Sequence, residues 1–173
     1  MRAVFAFGRM NPPTTGHRRV VERLQQEAKT TGVKARLYLS NSHDPKRNPL
    51  TPQQKLSFAQ QMFPEVEVRL AQTLFDAANN VADDGFDDVL VIVGEDRLDS
   101  FSKSLSAYVG TDKLGLQHVE VQALSRSAED ASATQARTAA LEGDWQAFQD
   151  LTPTDDETLA RSLYEAVRFG LGV

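Results

Sequence analysis

The stretch from Phe7 to His17, Phe-Gly-Arg-Met-Asn-Pro-Pro-Thr-Thr-Gly-His, constrains the fold more than any other part of the chain. It joins an apolar run, Ala3 to Phe7, to a segment in which Val20, Val21, Leu24 and Ala28 recur at helical spacing. An unbroken apolar run of this kind reads as a strand buried on both faces of a parallel sheet, and the period after it gives a helix one apolar face. The stretch is therefore a strand-to-helix turn. Gly8 leaves the backbone open to a ligand, and Pro12 and Pro13 fix φ and stiffen the loop. Gly16 and His17 fall at the helix start, where N–H groups without intrahelical acceptors and the helix dipole favour an anion. Such a turn is suited to hold phosphate. Neither G-x-x-x-x-G-K-[ST] nor G-x-G-x-x-G occurs there, which excludes a P-loop and a dinucleotide-binding fingerprint.

The rest of the chain alternates strand and helix. Further strands are expected over Ala35 to Ser40, Val66 to Leu70, Val89 to Val93 and Val119 to Leu124. Thr51-Pro52-Gln53-Gln54 has a cap residue, proline at the first helical position and glutamine at the third. It reads as a capping-box start for a helix carrying Leu56, Phe58, Ala59 and Met62. Helices follow over Leu74 to Ala82 and Arg97 to Tyr108, and two or three finish the chain, the last from about Asp155 to Phe169. Strands separated by helical crossovers make a single α/β domain over residues 1–173, with a doubly wound, parallel, five-stranded sheet. Ligands of such sheets bind beyond the carboxyl ends of the strands. Two of those ends carry polar chemistry, Gly8-Arg9 and Gly94-Glu95-Asp96. Asp96 reads equally well as a helix N-cap.

Composition bounds the function class. The chain has 173 residues, 40% hydrophobic and 25% charged, like an ordinary soluble protein. No apolar run is long enough for a membrane span and no secretory leader is visible, so a cytoplasmic protein is expected. With no cysteine, disulfides and thiolate chemistry are excluded. A net charge of −5 argues against a general nucleic-acid binder, whereas a small anionic ligand needs only a few basic residues in one pocket.

The residues G-R-M-N-P-P-T-T-G-H resemble the H-x-G-H signature of the nucleotidyltransferase superfamily, and most closely that of archaeal-type nicotinamide mononucleotide adenylyltransferases. Gly8, Arg9, Pro12, Gly16 and His17 match without a gap. Thr14 stands in place of the first histidine; it can hydrogen-bond but carries no charge. Phage-encoded nucleotidyltransferase-like proteins are similar in having threonine there. Asn48-Pro49-Leu50-Thr51-Pro52-Gln53-Gln54-Lys55 resembles the archaeal N-P-F-T-x-x-E-R, with Gln-Lys replacing Glu-Arg. Ser132-Ala133-Thr134-Gln135-Ala136-Arg137 resembles the second signature, S-[SG]-T-x-[IL]-R, and Leu141-Glu142-Gly143-Asp144-Trp145 continues like the archaeal family. Ser132 with Gln135 is also a plain capping box, which explains the serine but not the arginine.

The resemblance implies a Rossmann-like nucleotidyltransferase fold that takes a nucleoside triphosphate, ATP first, with Mg²⁺ held largely by phosphate oxygens and water. Nucleotide contacts are implied for Gly8, Arg9, Met10, Asn11, Gly16, His17, Gly94, Asp96, Ser132, Thr134 and Arg137. His17 would donate to the α- or β-phosphate, Arg137 would hold the leaving pyrophosphate, Arg9 and Lys46 would neutralise developing charge, and Thr14 would orient. No carboxylate cluster marks a protein-built metal cage. The acceptor is a phosphate-bearing small molecule, with nicotinamide mononucleotide first. No tryptophan lies mid-chain to stack its ring, leaving Phe101 or Tyr108 for that role; Trp145 lies near the far end. CTP in place of ATP, a non-catalytic nucleotide sensor and a homo-oligomer stay open.

Overall fold

In the computed structural model, which describes residues 1–125 and 132–173 with the side chain of Asp96 excepted, five strands form one parallel sheet. The strands are β1 (Arg2–Gly8), β2 (Arg36–Leu39), β3 (Glu67–Leu70), β4 (Asp88–Gly94) and β5 (His118–Leu124), in the order β3-β2-β1-β4-β5. All four pairings are parallel. The helices are α1 (Thr15–Thr31), α2 (Pro52–Met62), α3 (Leu74–Asp83), α4 (Leu98–Ser106), α5 (Ala133–Glu142), α6 (Trp145–Leu151) and α7 (Glu157–Leu171). The doubly wound α/β architecture expected from the alternation is thus observed.

The central strands β1, β2 and β4 bury both faces because alternate side chains enter different cores, whereas the edge strands β3 and β5 are only partly covered. Val4, Ala6, Leu37, Leu39, Leu90 and Ile92 pack with α1, α2 and α5 to α7. Phe5, Tyr38, Val89, Val91 and Val93 pack with α3 and α4 on the other side. This is why β1 and β4 read as continuous apolar runs.

Three local devices set the helix ends that matter for the site. Thr51 caps α2 and Ser132 caps α5, each in a capping box with the glutamine three residues on. The third is a packing contact: in α7, a Cβ on Gly170 would overlap the Pro49 carbonyl group, so the helix lies directly on the loop between β2 and α2. At the amino-terminal edge of the sheet, Arg36 pairs with Glu67 and Asp84, and Arg69 with the same two carboxylates. The opposite edge is organised differently.

Candidate functional site

The chain leaves β1 to build β2 and β3 on one side and β4 and β5 on the other, so the carboxyl edge opens a crevice where the winding reverses. A cavity of about 370 Å³ lies there, within the usual range for small-ligand sites. Four strand ends reach it, through Gly8 and Arg9, Ser40 and Ser42, Val93 and Gly94, and Leu124 and Ser125. Arg9, Arg97 and His17 line it, and among the described residues no aspartate or glutamate does. In a chain of net charge −5, this is a local concentration of positive charge. Away from it, arginines such as Arg2 and Arg36 hold carboxylates. Among the described residues Arg9, Arg47, Lys55 and Arg137 hold none. Cations that a fold gathers with no described carboxylate paired to them suit an anion.

His17 is the third residue of α1 and occupies the position that a glutamate or glutamine takes in a capping box. Its Nδ1 accepts the backbone N–H of Thr14 at 2.9 Å, and the Thr14 hydroxyl lies 3.1 Å from the same nitrogen. A backbone N–H can only donate, so Nδ1 is the acceptor and the ring proton sits on Nε2. Thr14 itself is fully buried. It therefore acts on the ring and not on a ligand directly, while His17 and Gly16 line the cavity. A Cβ placed on Gly8 would meet nothing within 4 Å, so the backbone there is open to the cavity.

The remaining sequence candidates divide. Met10 is buried with φ 44°, a left-handed conformation costing an L-residue roughly 1 kcal/mol or more; burial of its side chain in the core offsets that cost. Asn11 is buried and fastens the loop to Leu50, donating to its carbonyl at 3.0 Å and accepting its N–H at 2.8 Å. Arg137 is half-buried on α5; it donates to the Asn11 carbonyl at 2.9 Å and to the Thr134 hydroxyl at 3.2 Å. Burial first, then the charges of Arg47 and Arg9, lower its pKa below the ordinary value. The two signature segments are thereby joined, but Arg137, Ser132 and Thr134 do not line the cavity wall itself. Lys46 is exposed, in a turn whose Asp44 carboxylate accepts the N–H groups of Lys46 and Arg47 and the Asn48 amide. These contacts, the Arg47 N–H foremost, hold the Asp44 carboxyl well below the usual carboxylate range. Gly94 lines the cavity, whereas the Asp96 side chain lies outside the described residues. Phe101 lines it too. Tyr108 instead packs edge-on against Phe75, and Trp145 against Tyr164.

Sequence reasoning missed Lys55 as a site residue. It is fully buried, and its ammonium donates to the Ser40 carbonyl and, at 3.3 Å, to the Ser40 hydroxyl. One signal for it was present. Lys55, Ala59 and Met62 share the buried face of α2, so a lysine occupies an apolar-stripe position. Burial, and next the charge of Arg9, push the Lys55 pKa down to about 8 from 10.5. Between those values the unfolded chain holds more protons than the folded one, so stability rises with pH across that window. Below pH 8 both states hold the proton and the folded state bears the full cost. From pH 7 to 9.5 this group should add about 2 kcal/mol, by the linkage relation. Urea denaturation of wild type and Lys55→Met at both pH values checks this, and equal changes in the two proteins would exclude it.

Comparisons agree with this geometry. TmcAL of Thermotoga maritima bound with alpha-thio ATP superposes with a TM-score of 0.58 at 12% identity, over 99% of this chain and 56% of that one. The apo form of the same protein gives 0.56 at 12% identity, over 99% and 57%. The chain thus spans little more than half the length of these solved structures, and at such identity the likeness shows the fold. Among curated protein sequences none matches the chain. The cytidylyltransferase-like family model matches residues 5–139, from β1 through the capped start of α5 and most of its length. The chain therefore belongs to the cytidylyltransferase-like family of the nucleotidyltransferase superfamily.

Proposed function

We propose that the chain is a cytosolic adenylyltransferase, acting as one domain, that transfers AMP from ATP to a phosphate-bearing small molecule. The observation that carries this reading is His17, its ring oriented by Thr14 so that Nε2–H is the donor, in a cavity lined by cations and no described carboxylate. An acceptor phosphate oxygen attacks the α-phosphorus of ATP, a new P–O bond forms, and the bond to the β-bridging oxygen breaks to release pyrophosphate. No covalent enzyme intermediate is required, so catalysis reduces to positioning and charge stabilisation. His17 donates to a non-bridging oxygen as charge develops there. Arg137 and Arg9 supply fixed positive charge to the leaving pyrophosphate, and Lys46 does so from the mobile end of its side chain. Thr14 acts through His17.

Mg²⁺ fits this site only as a companion of the triphosphate. Among the described residues no group of three or more His, Cys, Asp or Glu side chains is placed to hold a metal. When bound, Mg²⁺ would draw charge from the phosphates, with its ligands mainly phosphate oxygens and water.

ATP is favoured over CTP by the closer likeness of both motifs to adenylyltransferases, and by the alpha-thio ATP in a protein of the same fold. Nicotinamide mononucleotide is the first acceptor to try. Pyrophosphate release should appear with ATP and Mg²⁺ across a panel of phosphate monoesters, and ATP should raise the melting temperature more than CTP at equal concentration. A larger shift and faster release with CTP would make it a cytidylyltransferase. Nucleotide binding without pyrophosphate release from any pair would instead make it a sensor.

A further inference from the structure

The sheet ends on two unlike edges. β3 has four residues, and its Glu67 and Arg69 belong to an ion-paired group with Arg36 and Asp84. Shortness and charge are what keep an edge strand from pairing with another chain. β5, at the other end of the sheet, has seven residues and no proline. Its one carboxylate, Glu120, is held by Arg2 at 2.7 Å, so that charge is already compensated within the chain. This edge lacks the protection that the β3 edge has.

The ladder between β4 and β5 fixes which backbone groups face outward. Asp88 pairs in register with His118, and the His118 N–H donates to the Asp87 carbonyl at 3.1 Å, so the His118 backbone faces β4. In a parallel ladder successive residues turn their N–H and C=O groups to opposite sides of the strand. Glu120, Gln122 and Leu124 therefore also face β4. The backbone groups of Val119, Val121 and Ala123 face away from the sheet, and among the described residues no strand lies beyond β5 to meet them. Solvent or another chain must satisfy them.

Outward residues at alternate positions, centred on Val121, are complementary to themselves. With a two-fold axis through Val121, a second β5 lies antiparallel, Val121 faces the partner's Val121, and Val119 faces the partner's Ala123. Each facing pair then exchanges both of its backbone hydrogen bonds. The side chains agree with that register. Glu120 falls opposite the partner's Gln122, and a glutamine amide is already the donor that Glu120 takes within its own chain, at 2.7 Å. An axis at Glu120 would set two carboxylates against each other, which is destabilising. An axis at Gln122 would set each carboxylate against a leucine. Only the axis through Val121 satisfies backbone and side chains together.

We infer that β5 is the docking edge for a second copy of this chain, joined antiparallel about a two-fold axis through Val121 so that one sheet runs through both copies. Such an interface is isologous, the same residues serving both sides. Main-chain bonds supply the affinity in strand addition, and facing side chains fix the register. The pairing also reaches the cavity. His118 falls opposite the partner's Leu124, and Leu124 lines the cavity, so each copy sets its His118 beside a wall residue of the other's cavity. The pairing does not depend on which nucleotide that cavity takes.

Sedimentation of the full chain over a range of concentrations should show a monomer–dimer equilibrium, since strand pairing alone makes a small interface. Val121→Pro deletes an outward N–H that the ladder to β4 does not use, and proline is accepted on the open side of an edge strand. It should keep the circular dichroism of wild type and, by removing the pair of bonds at the axis, weaken the dimer at least about tenfold. The register is read separately, because the chain has no cysteine of its own. Glu120→Cys mixed with Gln122→Cys should form a disulfide-linked dimer under mild oxidation, as those positions face each other in the closer, non-hydrogen-bonded pairing. Either variant by itself should link far less. A wild type that stays monomeric at every concentration, or a dimer that Val121→Pro leaves intact, would overturn the inference. Linkage in either cysteine variant alone as readily as in the mixture would overturn the axis through Val121. Should Val121→Pro not fold, the mixed cysteine variants decide, and absence of their linkage overturns the docking edge.

Discussion

Replacing His17 by alanine should lower turnover by about a hundredfold or more, since one preorganised donor to a transition-state oxygen is commonly worth about 3 kcal/mol. The structure adds a complication that the sequence did not show. His17 also caps α1, its Nδ1 accepting the Thr14 N–H, so alanine leaves that donor without its partner. Loss of a cap costs about 1 kcal/mol, equivalent to a melting-temperature drop of roughly 2–4 °C at this chain length. The two roles separate in His17→Gln. Glutamine is the preferred residue at the third position of a capping box, so it should restore the melting temperature. It lacks a ring donor held on the far side of the capping atom, so turnover should stay low. Wild-type turnover in the alanine variant would remove His17 from the chemistry. Recovery of turnover with glutamine would show that the histidine is needed only as a cap.

Gly170→Ala should destabilise the fold by about 2 kcal/mol or more, against the direction that helix propensity predicts. Within a helix, alanine is favoured over glycine by about 1 kcal/mol. Here a Cβ would fall within 2.7 Å of the Pro49 carbonyl carbon and overlap its oxygen. That neighbour is backbone and cannot rotate away, and overpacking of this kind costs typically about 1–3 kcal/mol, occasionally more. α7 or the loop must shift. The loop is tethered at Leu50 through Asn11 and closed on itself by the bond from the Asn48 amide to Asp44, so its displacement would also disturb Lys46 and Arg47. A fall in melting temperature of roughly 4–8 °C is expected for a chain of this length. An unchanged or raised melting temperature would mean that α7 yields without cost and that its seat on the loop does not brace the site.

Much of the architecture is legible without coordinates because its signals are local. The apolar runs at Ala3 to Phe7 and Val89 to Val93 mark buried parallel strands, since only a strand covered on both faces needs both alternating sets apolar. Thr51 with Gln54, and Ser132 with Gln135, mark helix starts because a capping box closes within four residues. The sequence places the end of α7 at Phe169, with Gly170 as its stop, but the helix runs through Gly170 to Leu171 and is closed by Gly172, whose φ of 82° makes the left-handed cap.

The sequence by itself determined the sheet, its helices and the phosphate-suited turn at Gly8 to His17, because each depends on periodicity or on contacts within one turn of chain. Only the tertiary structure decided what the side chains do. Thr14 turns inward to the His17 ring, Arg137 crosses to the Asn11 carbonyl, and Gly170 seats on Pro49. Lys55, written as an ordinary departure from a motif, becomes an interior cation behind Ser40 with no carboxylate partner among the described residues. The physical reason is that a side chain's burial and partners are set by segments far away along the chain, and no local pattern in the sequence records which of them will meet.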